Sequence, residues 1–276
     1  MKAIIETRHL FPALDEKLIE LLRSLSTADW QKPTVARLWT VKDVASHLLD
    51  GNLRMISLLR DGHSAPPDRE INSYADLIAY LNLLNADWVK ATKRLSPEVM
   101  IDLLESTGRQ YSALIAAEEL HSDAIFPVAW AGEAVSKNWF HIAREYTEKW
   151  HHQQQIREAT DRQGIITDAL FYPFMATSLR GLPHTYRNTD APTGTVISIT
   201  IRIEREFKWF LTKNENSWEI TTSHSGIQDA GVLIPAEIAW KLFTKAISPT
   251  EARENIDLTG DEKLAEVTLQ LIAVMA

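Results

Sequence analysis

Hydrophobic and polar positions along this chain follow two different periods, and the change comes well past the midpoint. Between residues 10 and 26, Leu14, Leu18, Ile19, Leu21 and Leu22 recur at helical spacing with charges between them. Thr40 opens a second expected helix over 40–62, with Asp43 placed for a capping box and Gly62 at its end. A third is predicted over 74–95, with Leu77, Leu81, Leu84 and Trp88 along one face. Ser96-Pro97 starts a fourth, over 97–120, expected to break near Gly108. After an irregular stretch containing Pro127 and Gly132, helical patterning resumes over 137–159 and again over 167–186. Long amphipathic helices with short connections read as a helical bundle.

The segment NTDAPTGT after Tyr186-Arg187 is turn-rich and reads as a linker. Beyond it Ile197, Ile199, Ile201 and Ile203 alternate with Ser198, Thr200, Arg202 and Glu204, which is a strand period. Phe207, Trp209 and Leu211 continue it, and the turn at 214–216 leads to Trp218 and Ile220, predicting a three-stranded antiparallel meander. Val232-Leu233-Ile234 runs up to Pro235, which suits the first turn of a helix carrying Ile238, Trp240 and Leu242. A short strand near Ile256 and Leu258 precedes a last helix from about 261. The expected fold class is α followed by α+β: a helical bundle over 1–188 and a small α+β domain over 195–276.

Composition narrows the function classes. The chain has 276 residues, 45% hydrophobic and 24% charged, an ordinary globular balance able to bury a sizeable core. A net charge of −8 without a Lys/Arg-rich block argues against nucleic acid as the partner. No run reaches the roughly 18 apolar residues of a membrane span, and the N-terminal stretch meets charge early. A cytoplasmic protein with a small-molecule substrate is expected, as monomer or homodimer. Cysteine is absent, so disulfides, thiolate metal sites and a cysteine nucleophile are excluded. A metal must be held by His, Asp and Glu, and a thiol, if the chemistry needs one, must come from outside.

The candidate chemistry centres on EYTEKWHHQQQIREA, residues 145–159. Glu148 precedes His152 by four positions on a predicted helix, so both project from the same face. An open catalytic zinc site usually takes three protein ligands, and His47 is the best third candidate. It sits about 100° round the second helix from Leu48, at the edge of the apolar stripe. Gly51, one turn later, leaves room beside the imidazole, and Arg54 points the same way toward an anionic group. His151 flanks His152, Gln155 lies one turn on as an orienting residue, and His141 shares the stripe of Glu148. A histidine at a helix seam is also commonly a hydrogen-bonded core residue, and a Glu–His pair four apart is commonly a surface pair. Spacing alone leaves both readings open.

The arrangement WTVKDVASHL, followed about a hundred residues later by EYTEKWHHQQQIR, resembles the DinB-like superfamily of four-helix metal proteins. It is most similar to the branch of mycothiol-dependent maleylpyruvate isomerases. The ending LTGDEKLAEVTL is similar to that branch's sterol-carrier-like C-terminal domain. By this resemblance His47, Glu148 and His152 are the ligands of a divalent metal, with zinc as the expected ion, and His141, His151 and Gln155 surround them. Several relatives have an acidic residue soon after the last histidine, where this chain has Gln153, Gln154 and Gln155. The resemblance implies a low-molecular-weight, mycothiol-like thiol as cosubstrate, activated for addition or transfer to a small electrophile. Arg54, with Arg202 or Arg205, is then expected to hold substrate carboxylates. Two other readings stand beside it: a hydrolase in which the metal activates water, and a non-catalytic protein that binds a small apolar ligand.

Overall fold

The structure is a computed structural model and describes residues 4–275. A 3-10 turn leads into α1 (Phe11–Arg23), followed by α2 (Val41–Asp61), α3 (Tyr74–Thr92), α4 (Pro97–Ala117) and α5 (Asn138–Ala159). Then come α6 (Asp168–Ser178) and α7 (Leu182–Thr185), and the five strands β1 (Val196–Arg202), β2 (Glu206–Lys213), β3 (Trp218–Thr221), β4 (Ala230–Pro235) and β5 (Asp257–Gly260). Helices α8 (Ala236–Phe243) and α9 (Pro249–Arg253) lie between β4 and β5, and α10 (Glu262–Glu266) follows β5. The expected class, helices followed by an α+β region, is the class observed.

Packing groups these elements into two compact units. One consists mainly of Glu6–Leu120 and Glu148–Ile165, the other of His121–Thr147 and Ile166–Val274. The division therefore falls inside α5, between Thr147 and Glu148, and not at the linker near 188–195. The reason is that compactness follows contacts rather than sequence order: Tyr146 donates its hydroxyl to the Leu170 carbonyl at 2.7 Å, whereas Trp150 Nε1 donates to Ile165 O at 3.3 Å.

In the helical unit the α2 start is built as its sequence dictates. Thr40 accepts from the Asp43 amide, and the Asp43 carboxylate accepts from the Thr40 amide at 3.0 Å, a reciprocal capping box. Gly62, at φ 63°, ends the helix in the left-handed region that favours glycine. The apolar stripe of α2 packs with Leu18, Leu22, Trp30, Met100, Leu104 and Ile156 in one core. Side-chain hydrogen bonds fix the neighbours: Trp88 Nε1 donates to Ser46 O at 2.8 Å, and Asn52 Nδ2 to Thr107 Oγ1 at 3.1 Å.

Two local expectations are corrected. Leu84 on α3 is exposed, and the helix instead turns Val89 and Thr92 inward. Helix α4 runs unbroken through Gly108, because that glycine answers a close approach rather than a kink. A Cβ there would stand 2.9 Å from the Asp15 carboxylate of α1.

In the other unit the sheet order is β3-β2-β1-β4-β5. The antiparallel β1–β2–β3 meander matches the alternation, with Ile199 opposite Trp209 and Leu211 opposite Ile220. The run Val232-Leu233-Ile234 is the interior of β4, which pairs parallel to β1, so Ile199 faces Val232 across the ladder. Pro235 closes that strand and caps α8. Tyr172 of α6 stacks on Trp209, 5.4 Å between centroids, and Tyr186 Oη donates to the Leu264 carbonyl at 2.7 Å.

Candidate metal centre

The helical unit carries the candidate site, and one loop and two helices build it. Ahead of α2, the bridge between Pro33 and Thr40 and the Thr34 amide on the Trp39 carbonyl (3.0 Å) close a short loop. That closure sets Trp39 beside the first turns of α2, with its ring 4.9 Å from the His47 imidazole and 6.1 Å from that of His152. His47 is presented one and a half turns into α2, where the capping box fixes the helix start. Across from it, α5 presents Glu148 and His152 one turn apart.

His47, Glu148 and His152 each offer a ligand atom within 4.8 Å of the other two. The His47 and His152 rings lie 4.6 Å apart, edge to face, and His152 Nε2 is 3.6 Å from Glu148 Oε2. Tetrahedral zinc with N and O ligands spaces its donors at about 3.3 Å, so this cluster needs only a small contraction. Gln155 Oε1 stands 2.9 Å from His152 Nδ1 and accepts a hydrogen bond from it, so Nε2, which faces Glu148, is the nitrogen left to bind a cation. Burial, and then the neighbouring His152, hold the His47 imidazole well below the ordinary range, so it is neutral at neutral pH. Two imidazoles and a carboxylate form the donor set of an open zinc site. His47 Nδ1 is also buried without a hydrogen-bond partner, an uncompensated polar atom on one of the three residues of the cluster. The residues fit a divalent cation.

The surroundings divide the remaining candidates. His151 packs against His152, 3.9 Å between ring centroids. Gly51 is half-buried, yet a Cβ there would meet nothing within 4 Å, so the α2 face after His47 is open. Arg54 is exposed and paired with Asp50 at 2.9 Å. His141 lies in the other unit, where Arg144 Nη2 donates to its Nδ1 at 2.7 Å and the Phe126 ring stands 6.0 Å away. Arg202 pairs with Glu206 at 2.9 Å and Arg205 with Asp168 at 2.6 Å, both also in that unit. Trp39, which spacing alone does not single out, is the further residue that the structure sets against the cluster. Its signal was its position immediately before the cap of the helix that carries His47.

Comparison with known families bears on this geometry. The sequence profile described as mycothiol maleylpyruvate isomerase N-terminal domain matches residues 11–157, more than half of the chain. The chain belongs to this family. The match spans all three residues of the cluster. Comparison with curated proteins gives no match. A crystal structure of the mycothiol-dependent maleylpyruvate isomerase superposes on this family member with a TM-score of 0.53, and a histidine-to-alanine mutant of that enzyme with 0.51. Each is 10% identical, and each alignment covers 93% of both chains. At that identity the likeness is one of fold, and it extends over both units. A sterol carrier protein 2 like 2 from Aedes aegypti aligns over 36% of this chain and 95% of its own, at 17% identity and a TM-score of 0.28. Among the described residues no helix is long and apolar enough to cross a membrane.

Proposed function

We propose that this protein is a metal-dependent, thiol-using enzyme of the isomerase or transferase type. In this reading His47, Glu148 and His152 hold a divalent cation, zinc by the character of the donors. The observation that carries it is the convergence of these three side chains, from two helices about a hundred residues apart, within 4.8 Å. Family membership supports the reaction type, since the solved relatives are described as mycothiol-dependent maleylpyruvate isomerases.

When bound, the cation supplies the electrostatic stabilisation that keeps a thiol ionised near neutral pH. The chain's own residues do the rest. Gln155 fixes the tautomer of His152, Glu148 balances part of the positive charge, and Trp39 walls one side of the two imidazoles. The chain has no cysteine, so the sulfur nucleophile is a separate small molecule of the mycothiol kind. It adds to the cis double bond of a small electrophile, forming a C–S bond and leaving a single C–C bond free to rotate. Elimination then breaks the C–S bond, restores the double bond as trans and returns the thiol. The open side of α2 at Gly51 leaves room for the substrate, and Arg54 can exchange Asp50 for a substrate carboxylate.

Metal analysis of wild type beside His47→Ala and His152→Ala tests the site. One equivalent of metal is expected in wild type and a loss in each variant. Full retention in both would sink the site. Turnover of maleylpyruvate with a panel of thiols tests the reaction, with activity expected only when thiol is added. Turnover without thiol would favour hydrolysis instead.

A further inference from the structure

The segment of α5 that bears Glu148 and His152 is anchored by two cationic side chains of its own, both made within the helical unit. Lys149, directly after Glu148, places its Nζ 2.5 Å from Asp15 Oδ1 of α1, with the two side chains only 9% and 16% exposed. Ser112 Oγ of α4 donates to the other oxygen of Asp15 at 3.2 Å. The Lys149 ammonium also lies 5.3 Å from the ring centroid of Tyr111. Gly108 leaves the space that the Asp15 carboxylate fills. One carboxylate thus ties α1, α4 and α5 together. Further along, beyond His152 and about 12 Å of helix rise from Lys149, Arg157 donates to Gln163 O at 2.7 Å and to Lys17 O at 3.0 Å.

Apolar contacts such as that of Ile156 with the α1–α2–α4 core are non-directional and tolerate small slides and rotations of a helix. Charge-assisted hydrogen bonds have a fixed length and direction and remove that freedom. A buried ion pair is also a poor way to gain stability, because its desolvation cost often cancels the attraction, and a hydrophobic pair of similar volume often replaces it without loss. Stability alone therefore does not account for the pair. Its place beside Glu148 does.

We propose that Asp15 and Lys149 are positioning residues for the metal site, setting the height and rotation of α5 so that Glu148 and His152 meet His47. This rests on the reading that those three residues hold a cation. The test is titration of the purified full chain with cobalt(II) chloride, followed by its visible absorption, with thermal melts on the same samples. Wild type is compared with the double variant Asp15→Leu/Lys149→Met and with Lys149→Arg, which keeps the charge and changes the reach. The expected result is a cobalt Kd raised about tenfold or more in both variants, the range given by residues that orient metal ligands. The double variant should also keep its melting temperature within a few degrees of wild type or above it. A rise below about tenfold in the folded double variant overturns the proposal, as does one that merely follows a large fall in melting temperature. If the double variant does not fold, the same limit applied to Lys149→Arg decides. A wild type that binds no cobalt removes the metal site itself and the proposal with it, an outcome distinct from intact binding in the variants.

Discussion

Gln155 and His141 show how one hydrogen bond decides what an imidazole can do. Gln155 accepts from His152 Nδ1, so its loss frees the ring to rotate and to change tautomer. Gln155→Ala should weaken metal binding about 10- to 100-fold while the protein stays folded, measured by competition with a chromogenic chelator. His141 serves the opposite end. Its Nδ1 accepts from Arg144, and burial pushes its pKa down to about 4. The unfolded chain therefore binds a proton near pH 6.5 that the folded chain refuses until about pH 4. Above pH 6.5 this group leaves stability unchanged, and between 6.5 and 4 stability falls as pH falls, by up to about 3 kcal/mol. Urea melts at pH 7.5 and 4.5 should show His141→Gln losing less stability than wild type over that interval. Glu148 and His152 were legible as a pair because four-residue spacing is a property of one helix. His47 was legible only as a candidate, since its meeting with them depends on how two helices pack.

Helix α2 starts where its sequence says it must, because a capping box is a contract among four consecutive residues. Thr40→Ala should cost about 1 kcal/mol by denaturant unfolding, and through the shared loop it should also loosen Trp39. Gly108 in α4 runs the other way. In an ordinary helix interior Gly→Ala gains about 1 kcal/mol. Here the added methyl meets an Asp15 carboxylate already held by Lys149 and Ser112. Gly108→Ala should therefore destabilise, and a gain in chemical stability would show that Asp15 can give way. The same contrast explains what the chain did not reveal. The reason for Gly108 lies on another helix far away in sequence, so the glycine reads locally as a break. The exposure of Leu84 has the same origin, since a stripe shows which residues share a face but not how much of that face is covered. The parallel pairing of β4 with β1 is likewise a long-range fact, whereas the β1–β2–β3 meander follows from alternation and adjacent turns.

The metal reading has a consequence for the protein's overall stability. An ion that binds only the folded state raises stability by about 2.7 kcal/mol when present at 100 times its Kd. Zinc should therefore raise the melting temperature of wild type, EDTA should reverse the rise, and His152→Ala should respond to neither. Calorimetry can read this directly. The sheet carries a different signature. With β1 bonded to β2 on one side and to β4 on the other, its ladder is covered on both sides, while β3 and β5 form the margins. Deuterium should enter β3 and β5 first and β1 last. Because β4 reaches β1 only after the chain has made the β1–β2–β3 meander, β1 is also the strand whose protection has to wait for the most distant part of the sequence.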